Sequence, residues 1–471
     1  MSPKHFTTLA PALALAACAV GPNYAPPETP SQGAGKFISA TGPAVQPLAP
    51  VEGNWWRLYN DPVLDGLVAD ALTHNTDVRV AVARLARSRA ALREVKVDRL
   101  PEVGVSASAN YGRAAEGQQL PGNSRTDTSF DAGFDVAYEV DLFGRVSRNV
   151  EAARGDVAAA DADTEAVRVA IAAETARAYA DAASAAERLA VATRIVALLD
   201  DSLKLTNRRV EVGLTTRLDT ARIAALRNQR QAEIPVIAAE RDSALFRLAM
   251  LTGRAPAELP RMAGARDTAL TLDQPIPVGD GAQLLARRPD VRAAERRLAA
   301  ATARIGVATA DLYPRITLGG SIGSTTDSVG NLFSGGPLNW VLGPLISWAF
   351  TDHARARARV AGAEAGTQEA LAEFDGAVLR SLQETETALS AYSHALEQRE
   401  ALKSARDEAA VAARITRAQQ REGQVDSLAL LDAERTYAEQ EAELTAMDGR
   451  VVRAQIDLFR ALGGGWSKNR G

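Results

Sequence analysis

The chain has 471 residues, a formal net charge of −4, 46% hydrophobic and 24% charged residues, and one cysteine. The near-neutral balance excludes a dedicated polyanion-binding surface, so no nucleic-acid partner is expected, and the single thiol excludes an intrachain disulfide. Aromatics are only 5%, and abundant Ala with Arg, Glu and Leu is the composition of long helices.

The start, MSPKHFTTLAPALALAAC, places Lys4 and His5 before a short apolar run that ends on Cys18. That run is too short to span a bilayer and has the form of an export signal over residues 1–17. Leu15-Ala16-Ala17-Cys18 resembles the bacterial lipobox, in which cleavage precedes the cysteine, its thiol takes a diacylglycerol and the new amino group is acylated. An ordinary signal peptide with an incidental cysteine is the alternative. Ala19, in place of the inner-membrane retention Asp, points to an outer-membrane address. Residues 18–55 are rich in Pro, Gly and small side chains, which predicts an extended tether rather than a core. No later segment has the length and apolarity of a membrane helix, so further membrane contact would have to use strands.

The body repeats itself. TDVRVAVARLARSRAALREVKVDRLPEVGV (76–105) aligns without gaps with PDVRAAERRLAAATARIGVATADLYPRITL (289–318), and Pro101 matches Pro314. VEVGLTTRLDTARIA (210–224) matches QREGQVDSLALLDAER (420–435), with Gly213 opposite Gly423, and LAMLTG (248–253) matches FRALGG (459–464). The offset is about 210 residues throughout, far beyond a solenoid period. This divides the mature body into a first repeat (56–255), a linker (256–282), a second repeat (283–466) and a short tail (467–471). Each repeat reads helix, strand, loop, strand, long helix, helix.

In the first repeat the opening helix ends toward Pro101, and strands follow at about 102–112 and 128–142. Arg145 to Val212 then contains no proline and one glycine, Gly155, enough for a helix of ~65–70 residues, or ~100 Å. Ala178, Ala182, Ala185, Leu189, Ala192, Val196, Leu199 and Leu203 form a stripe of period 3.5, the seam of helices packing along one another. The chain reverses at Gly213, and a helix returns to about Leu251 past Pro235, which predicts a kink. The second repeat gives strands at about 315–324 and 339–350, a proline-free run from His353 to Glu422, a reversal at Gly423 and a return helix to about Leu462.

The strands alternate. In SFDAGFDVAYEVDLF (129–143) apolar residues hold every second position, while Asp131, Asp135, Glu139 and Asp141 fall on the other face. Such strands need two different surroundings. A soluble sheet packed on helices is one solution. Strands of ~9–13 residues tilted through a bilayer, with Tyr111, Trp340 and Trp348 at its interfaces, are the other. Four strands cannot close a barrel; two copies would give eight strands and a filled interior, three would give twelve and a pore.

The carriers CAVGPNYAPP, NWWRLYNDPVLDGLV, YEVDLFGR, LLARRPDVRAAE, ADLYPRITL, LLDAERTYAEQE and LFRALGGGW, in this order and spacing, make the chain similar to outer-membrane efflux channels of the TolC/OprM type, over about Cys18 to Trp466. The lipoprotein start and the GGGW ending resemble the members that serve resistance-nodulation-division pumps. The resemblance implies a mainly α fold with a transmembrane β portion: a homotrimeric twelve-stranded barrel, four strands per chain, continued by a long α-helical barrel. It also implies a passive exit duct in the outer membrane that extends into the periplasm and works with a periplasmic adaptor and an inner-membrane transporter. It implies no cofactor beyond the lipid on Cys18 and no enzyme activity. Acids near the helix tips would constrict the pore: Asp219 and Asp432 hold the matching places. Val210 and Gln420 stand where relatives often carry a gate Tyr, which leaves Arg209 and Arg421 as candidate substitutes. A non-conducting trimeric coiled-coil lipoprotein and a type I secretion duct are the alternatives; the cargo is not named by any motif.

Other motifs carry less. Gly319-Gly320-Ser321-Ile322-Gly323 fits the G-x-S-x-G string, but it lies in an alternating segment followed by a loop rather than a helix. The four histidines are scattered without metal-ligand spacing, so no metal site is expected.

Overall fold

The computed structural model describes residues 19–28, 33–40, 42–46, 53–113, 115, 126–272, 274–332, 338–348 and 352–464. Cys18, the export signal and the tail from 467 lie outside the described residues. The elements run β1 (Val45–Gln46), α1 (Pro62–His74), α2 (Thr76–Val97), β2 (Glu102–Arg113), β3 (Thr126–Val140), α3 (Arg145–Glu211), α4 (Arg217–Leu251), β4 (Ile276–Pro277), α5 (Gly281–Arg287), α6 (Pro289–Ala310), β5 (Arg315–Thr326), β6 (Leu338–Ser347), α7 (His353–Arg421) and α8 (Ser427–Ala461). The doubled unit is visible in the lengths. The helices α2 and α6 each have 22 residues, β2 and β5 each 12, α3 and α7 67 and 69, and α4 and α8 each 35. The opening helices stop at Val97 and Ala310, four residues short of each proline, because a turn intervenes. The helix α4 runs through Pro235 without ending.

The compact units are not the two repeats. Among the described residues, one gathers those within 19–27, 84–161 and 293–375, the other those within 28–83, 162–292 and 376–464. Each therefore draws on both repeats, and α3 and α7 run through both.

In the first unit the strands form one antiparallel sheet in the order β2-β3-β5-β6. Below it α3 and α6 come close through small residues: a Cβ on Gly155 would lie 2.9 Å from Ala300 Cβ. The described start of the chain is laid on this surface. Val20 N donates to Phe143 O (3.1 Å), Arg148 Nη2 donates to Asn23 Oδ1 (2.7 Å), and Tyr24 Oη donates to Glu295 (3.0 Å). Gly21 crosses at φ +89°, where a Cβ would lie 2.5 Å from Gly306 Cα.

In the second unit the core centres on a 3-10 turn at Trp55–Tyr59. Trp55 is fully buried and stacked on Phe459, with ring centroids 4.8 Å apart. Asp61 caps α1 by accepting from Val63 N and Leu64 N, and it takes further bonds from Tyr179 Oη (2.9 Å) and Arg266 Nη1 (3.0 Å). The segment expected to be a free tether contributes here: Phe37 and Val45 join the core, β1 pairs in parallel with β4, and Glu386 accepts from Ile38 N and Ser39 N. Sparse apolar residues among Pro and Gly suffice because β4 offers an edge to pair with, something composition does not reveal. The heptad stripe on α3 is largely buried, with Leu189 and Leu203 half-buried: Ala185 and Ala192 pack on Ile237 of α4, and Leu199, with Ile195 beside the stripe, on Ala438 of α8.

The motif LLARRPDV acquires a structural role. Arg287 donates twice to Leu462 O (2.9 and 2.6 Å) and Arg288 to Ala461 O (3.0 Å), satisfying the carbonyl end of α8 where the helix dipole favours cations. In the first repeat the neutral Asn75 Nδ2 does the same to Leu251 O (3.0 Å) at the end of α4. Burial works against the charge of Arg288, yet Asp290 and Glu384 hold its pKa above the ordinary value, and Arg288 in turn outweighs burial to depress Asp290.

Candidate functional site

The sheet has two chemically distinct faces because alternation and register coincide. Val105, Phe134, Ile322 and Trp340 are paired across all four strands, as are Val103, Val136, Gly320 and Leu342. The resulting apolar face is uncovered by the chain: Val105 is 74% exposed, Trp340 72% and Leu342 76%. Tyr111 and Trp340 lie near the loop ends of β2 and β6, and Trp348 follows the other end of β6, donating its indole N–H to Leu312 O (3.2 Å). The opposite face carries mostly small and polar residues, among them Ser106, Ser108, Asp131, Asp135, Gly319 and Ser321, with Val341 and Leu345 of β6 as apolar exceptions. Asp135 accepts from Ser106 Oγ (3.2 Å) and Asp131 from Ser108 Oγ (3.1 Å). The G-x-S-x-G string lies within β5, not at a strand-to-helix turn. Pro344 sits in β6, where it has no N–H to give to a ladder. The edges of the sheet are β2 and β6.

The four sequence-predicted acids separate. Asp131 and Asp135 stand on the polar face. Glu139 shares it but is tied at its end, bidentate to Arg145 (2.7 and 2.6 Å) with Arg315 at 3.8 Å. Asp141 does not belong with them: the strand ends at Val140, and Asp141 accepts from Val146 N (2.9 Å) and Ser147 N (2.8 Å). It caps the start of α3, because orphan amides at a helix N-terminus are a stronger local demand than continued alternation.

The two tips are built alike. Gly213 and Gly423 take φ of +77° and +74°. Leu214 N donates to Arg209 O (2.8 Å) and Gln424 N to Gln419 O (2.9 Å), the six-to-one bond of a Schellman motif. A Cβ at either glycine would meet nothing within 4 Å, so conformation, not space, demands glycine. The side chains differ. Asp219 closes a capping box at the start of α4, accepting from Thr215 Oγ1 (2.6 Å), Thr216 Oγ1 (2.9 Å) and Thr216 N (3.2 Å). These donors, the Thr215 hydroxyl first, hold its carboxyl below the usual range. In the second tip Asp426 is the cap, accepting from Ala429 N (2.8 Å), and Asp432 lies further along α8, bonded to its own neighbour Arg435 (2.9 Å).

Within one chain Arg209 and Arg421 do not approach these acids. Asp219 has Arg222 at 4.0 Å, and Arg421 turns back to Arg417 O (3.5 Å). The helical hairpins are held instead by pairs that no motif marked. Glu434, only 8% exposed, accepts from Ser202 Oγ of α3 (2.9 Å) and from Arg417 of α7 (3.2 Å), so one carboxylate ties three helices. Arg230 of α4 reaches Glu439 of α8 (3.1 Å). Charges on a periodic helix read as solvated, so their burial becomes visible only when the helices are paired.

A family profile described as "Outer membrane efflux protein" matches residues 67–254 and again 281–464. The chain belongs to the outer membrane efflux protein family. Outer membrane protein OprJ of Pseudomonas aeruginosa is 32% identical over 464 residues, covering 98% of this chain and 95% of that protein. Among solved structures, the outer-membrane channel OprN superposes with a TM-score of 0.89 at 37% identity, over 95% of this chain and 100% of the other. The open state of the MtrE outer membrane channel of Neisseria gonorrhoeae gives 0.84 at 28% identity, over 96% and 100%. This family member is thus an outer-membrane efflux channel of the TolC/OprM type, mostly helical in each chain. Among the described residues no helix is long and apolar enough to cross a membrane.

Proposed function

We propose that three copies of the chain join their sheets, β6 of one beside β2 of the next, into a twelve-stranded barrel through the outer membrane, continued by a helical tunnel. One observation carries this reading: a sheet with an uncovered apolar face and two open edges, in a chain whose helices already bury their own seam. Unpaired backbone in hydrocarbon costs several kcal/mol per group, so the edges require partners of the same kind. Twelve strands leave a lumen, lined by the face that carries Asp131 and Asp135, which biases passage toward cations.

The duct is the passive exit of a tripartite efflux assembly, met by a periplasmic adaptor and an inner-membrane resistance-nodulation-division transporter, with Cys18 lipid-anchored. The tips form the gate. The acids Asp219 and Asp432 stand close to the two reversals, and brought together by three-fold symmetry they repel unless cations or arginines offset them. Docking of the adaptor shifts the population toward splayed tips, at the expense of pairs such as Arg230–Glu439 and Glu434–Ser202. Single-channel recording of the purified chain in a lipid bilayer tests this: discrete conductance from a cross-linkable trimer is expected. A trimer that never conducts would favour a scaffold lipoprotein, and recovery with a secreted polypeptide rather than small molecules would favour a type I secretion duct.

A further inference from the structure

The charges on the helices of the first unit are arranged in two ways. Many are matched within the chain: Arg304 of α6 with Asp156 of α3 (2.6 Å), Arg89 of α2 with Asp161 of α3 (3.6 Å), and Arg359 of α7 with Asp311 (3.2 Å). Four others stand on the two helices that join the edge strands, α2 leading into β2 and α7 following β6. They are Arg87 and Glu94 on α2, and Arg357 and Glu364 on α7. All four are exposed, and none has an ion-pair partner among the described residues. On each helix the two charges are seven residues apart, which keeps them on one flank, about 10 Å from each other along the axis. Their signs run so that each level below the sheet is complementary. Glu94 stands about 5 Å and Arg87 about 15 Å from the last residue of α2, and Arg357 about 6 Å and Glu364 about 17 Å from the first residue of α7. Arg93, level with Glu94, is turned about 100° round the helix. Exposed alanines lie alongside, Ala86 and Ala90 on α2 and Ala358, Ala361 and Ala365 on α7, small enough for two such helices to lie close.

We infer that these four charges are a self-recognition surface: through them a copy of the chain accepts another copy and refuses a channel of the same fold with a different order of charge. With β6 of one copy beside β2 of the next, α7 of the first runs antiparallel to α2 of the second. Arg357 then meets Glu94, and Glu364 meets Arg87. The strand edges cannot make this distinction, because they join through backbone N–H and C=O groups that every strand offers. Charged side chains can. Opposite charges in register add modestly to joining, whereas like charges opposed across the seam exclude the wrong partner strongly. The inference rests on the reading of three joined sheets and adds to it a rule for which copies join.

The test exchanges charges without changing composition. Arg87→Glu/Glu94→Arg reverses the order on α2, Arg357→Glu/Glu364→Arg reverses it on α7, and the full exchange carries all four substitutions. Trimer yield is measured for each full-length chain after detergent extraction from membranes. Either half exchange sets like charges opposite one another twice in every seam, and is expected to lower the yield at least about tenfold in low salt and less in high salt. The full exchange is expected to restore it. Wild-type and fully exchanged chains, differently tagged, are then produced together and the trimers sorted by tag. Any mixed ring of three holds two mismatched seams, so mixed trimers are expected at least about tenfold below random joining. Mixed trimers at the random frequency, half exchanges that assemble as well as the wild type, or a full exchange that assembles no better than either half, each overturn the proposal. Conductance recorded on the same preparations separates the two readings. Randomly mixed trimers that conduct remove only the charge rule, sorted trimers that never conduct remove the duct and leave the rule standing, and failure of the wild-type chain to form a trimer removes both.

Discussion

The sheet of the first unit and the core of the second use the same kinds of side chain in opposite ways. Trp55 and Phe459 are hidden by their own chain, whereas Trp340 and Phe134 are presented outward on regular strands. The first pair is placed by long-range packing of one polypeptide; the second is placed by strand pairing, which leaves the apolar face uncovered and the outer edges of β2 and β6 open. A large apolar surface left bare by a well-ordered sheet marks an interaction surface rather than a folding error.

The widest separation between the two regions is expected from Trp55→Ala. Emptying a fully buried indole site costs about 3–5 kcal/mol, which should lower the thermal midpoint of the helical part in far-ultraviolet circular dichroism. If Trp55→Ala leaves the melt unchanged, the second unit is not the stabilising core. Phe134→Arg should act in the other medium, leaving helicity intact but disfavouring membrane insertion by about 2–4 kcal/mol, read as loss from the outer-membrane fraction. Arginine at Ser106, on the polar face, should leave insertion unaffected; loss in both variants would end the distinction between the faces.

Smaller effects compare the tips. Valine at Gly213 or at Gly423 should destabilise its hairpin by about 1–2 kcal/mol, equally at both, since the backbone angles agree; amide exchange across each turn reads the difference. Unequal effects would mean that side chains, not backbone, shape the reversals. The smallest effect is that of pH on Asp219. Its folded pKa is depressed, so its contribution is complete above the unfolded carboxylate value of about 3.9 and is lost as pH falls through the lower folded value. Amide protection at the start of α4 should decline across that window, and Asp219→Asn should abolish the decline. A decline that survives in the variant would assign it to another group.

Much of the architecture was legible from the residues. The offset of Pro101 from Pro314 and of Gly213 from Gly423 reported the doubled unit, and the 3.5-residue stripe from Ala178 to Leu203 named the buried seam of α3. Period-two alternation located all four strands within a few residues. Each of these is a local property, set by backbone conformation or by a repeat within one element. The same locality explains the misreading of Asp141, whose place in an alternating string concealed the demand of the helix that follows.

Order and approximate length of the four long strands and the long helices, the reversals at two glycines and the alternation along the strands were determined by the sequence alone, because φ preference and side-chain period act over a few residues. Tertiary structure alone decided that Phe37 and Val45 join a core, that Arg287 and Arg288 close the end of α8 and that Glu434 ties three helices. Those outcomes depend on which groups distant in the chain come within bonding distance, and no local pattern encodes that.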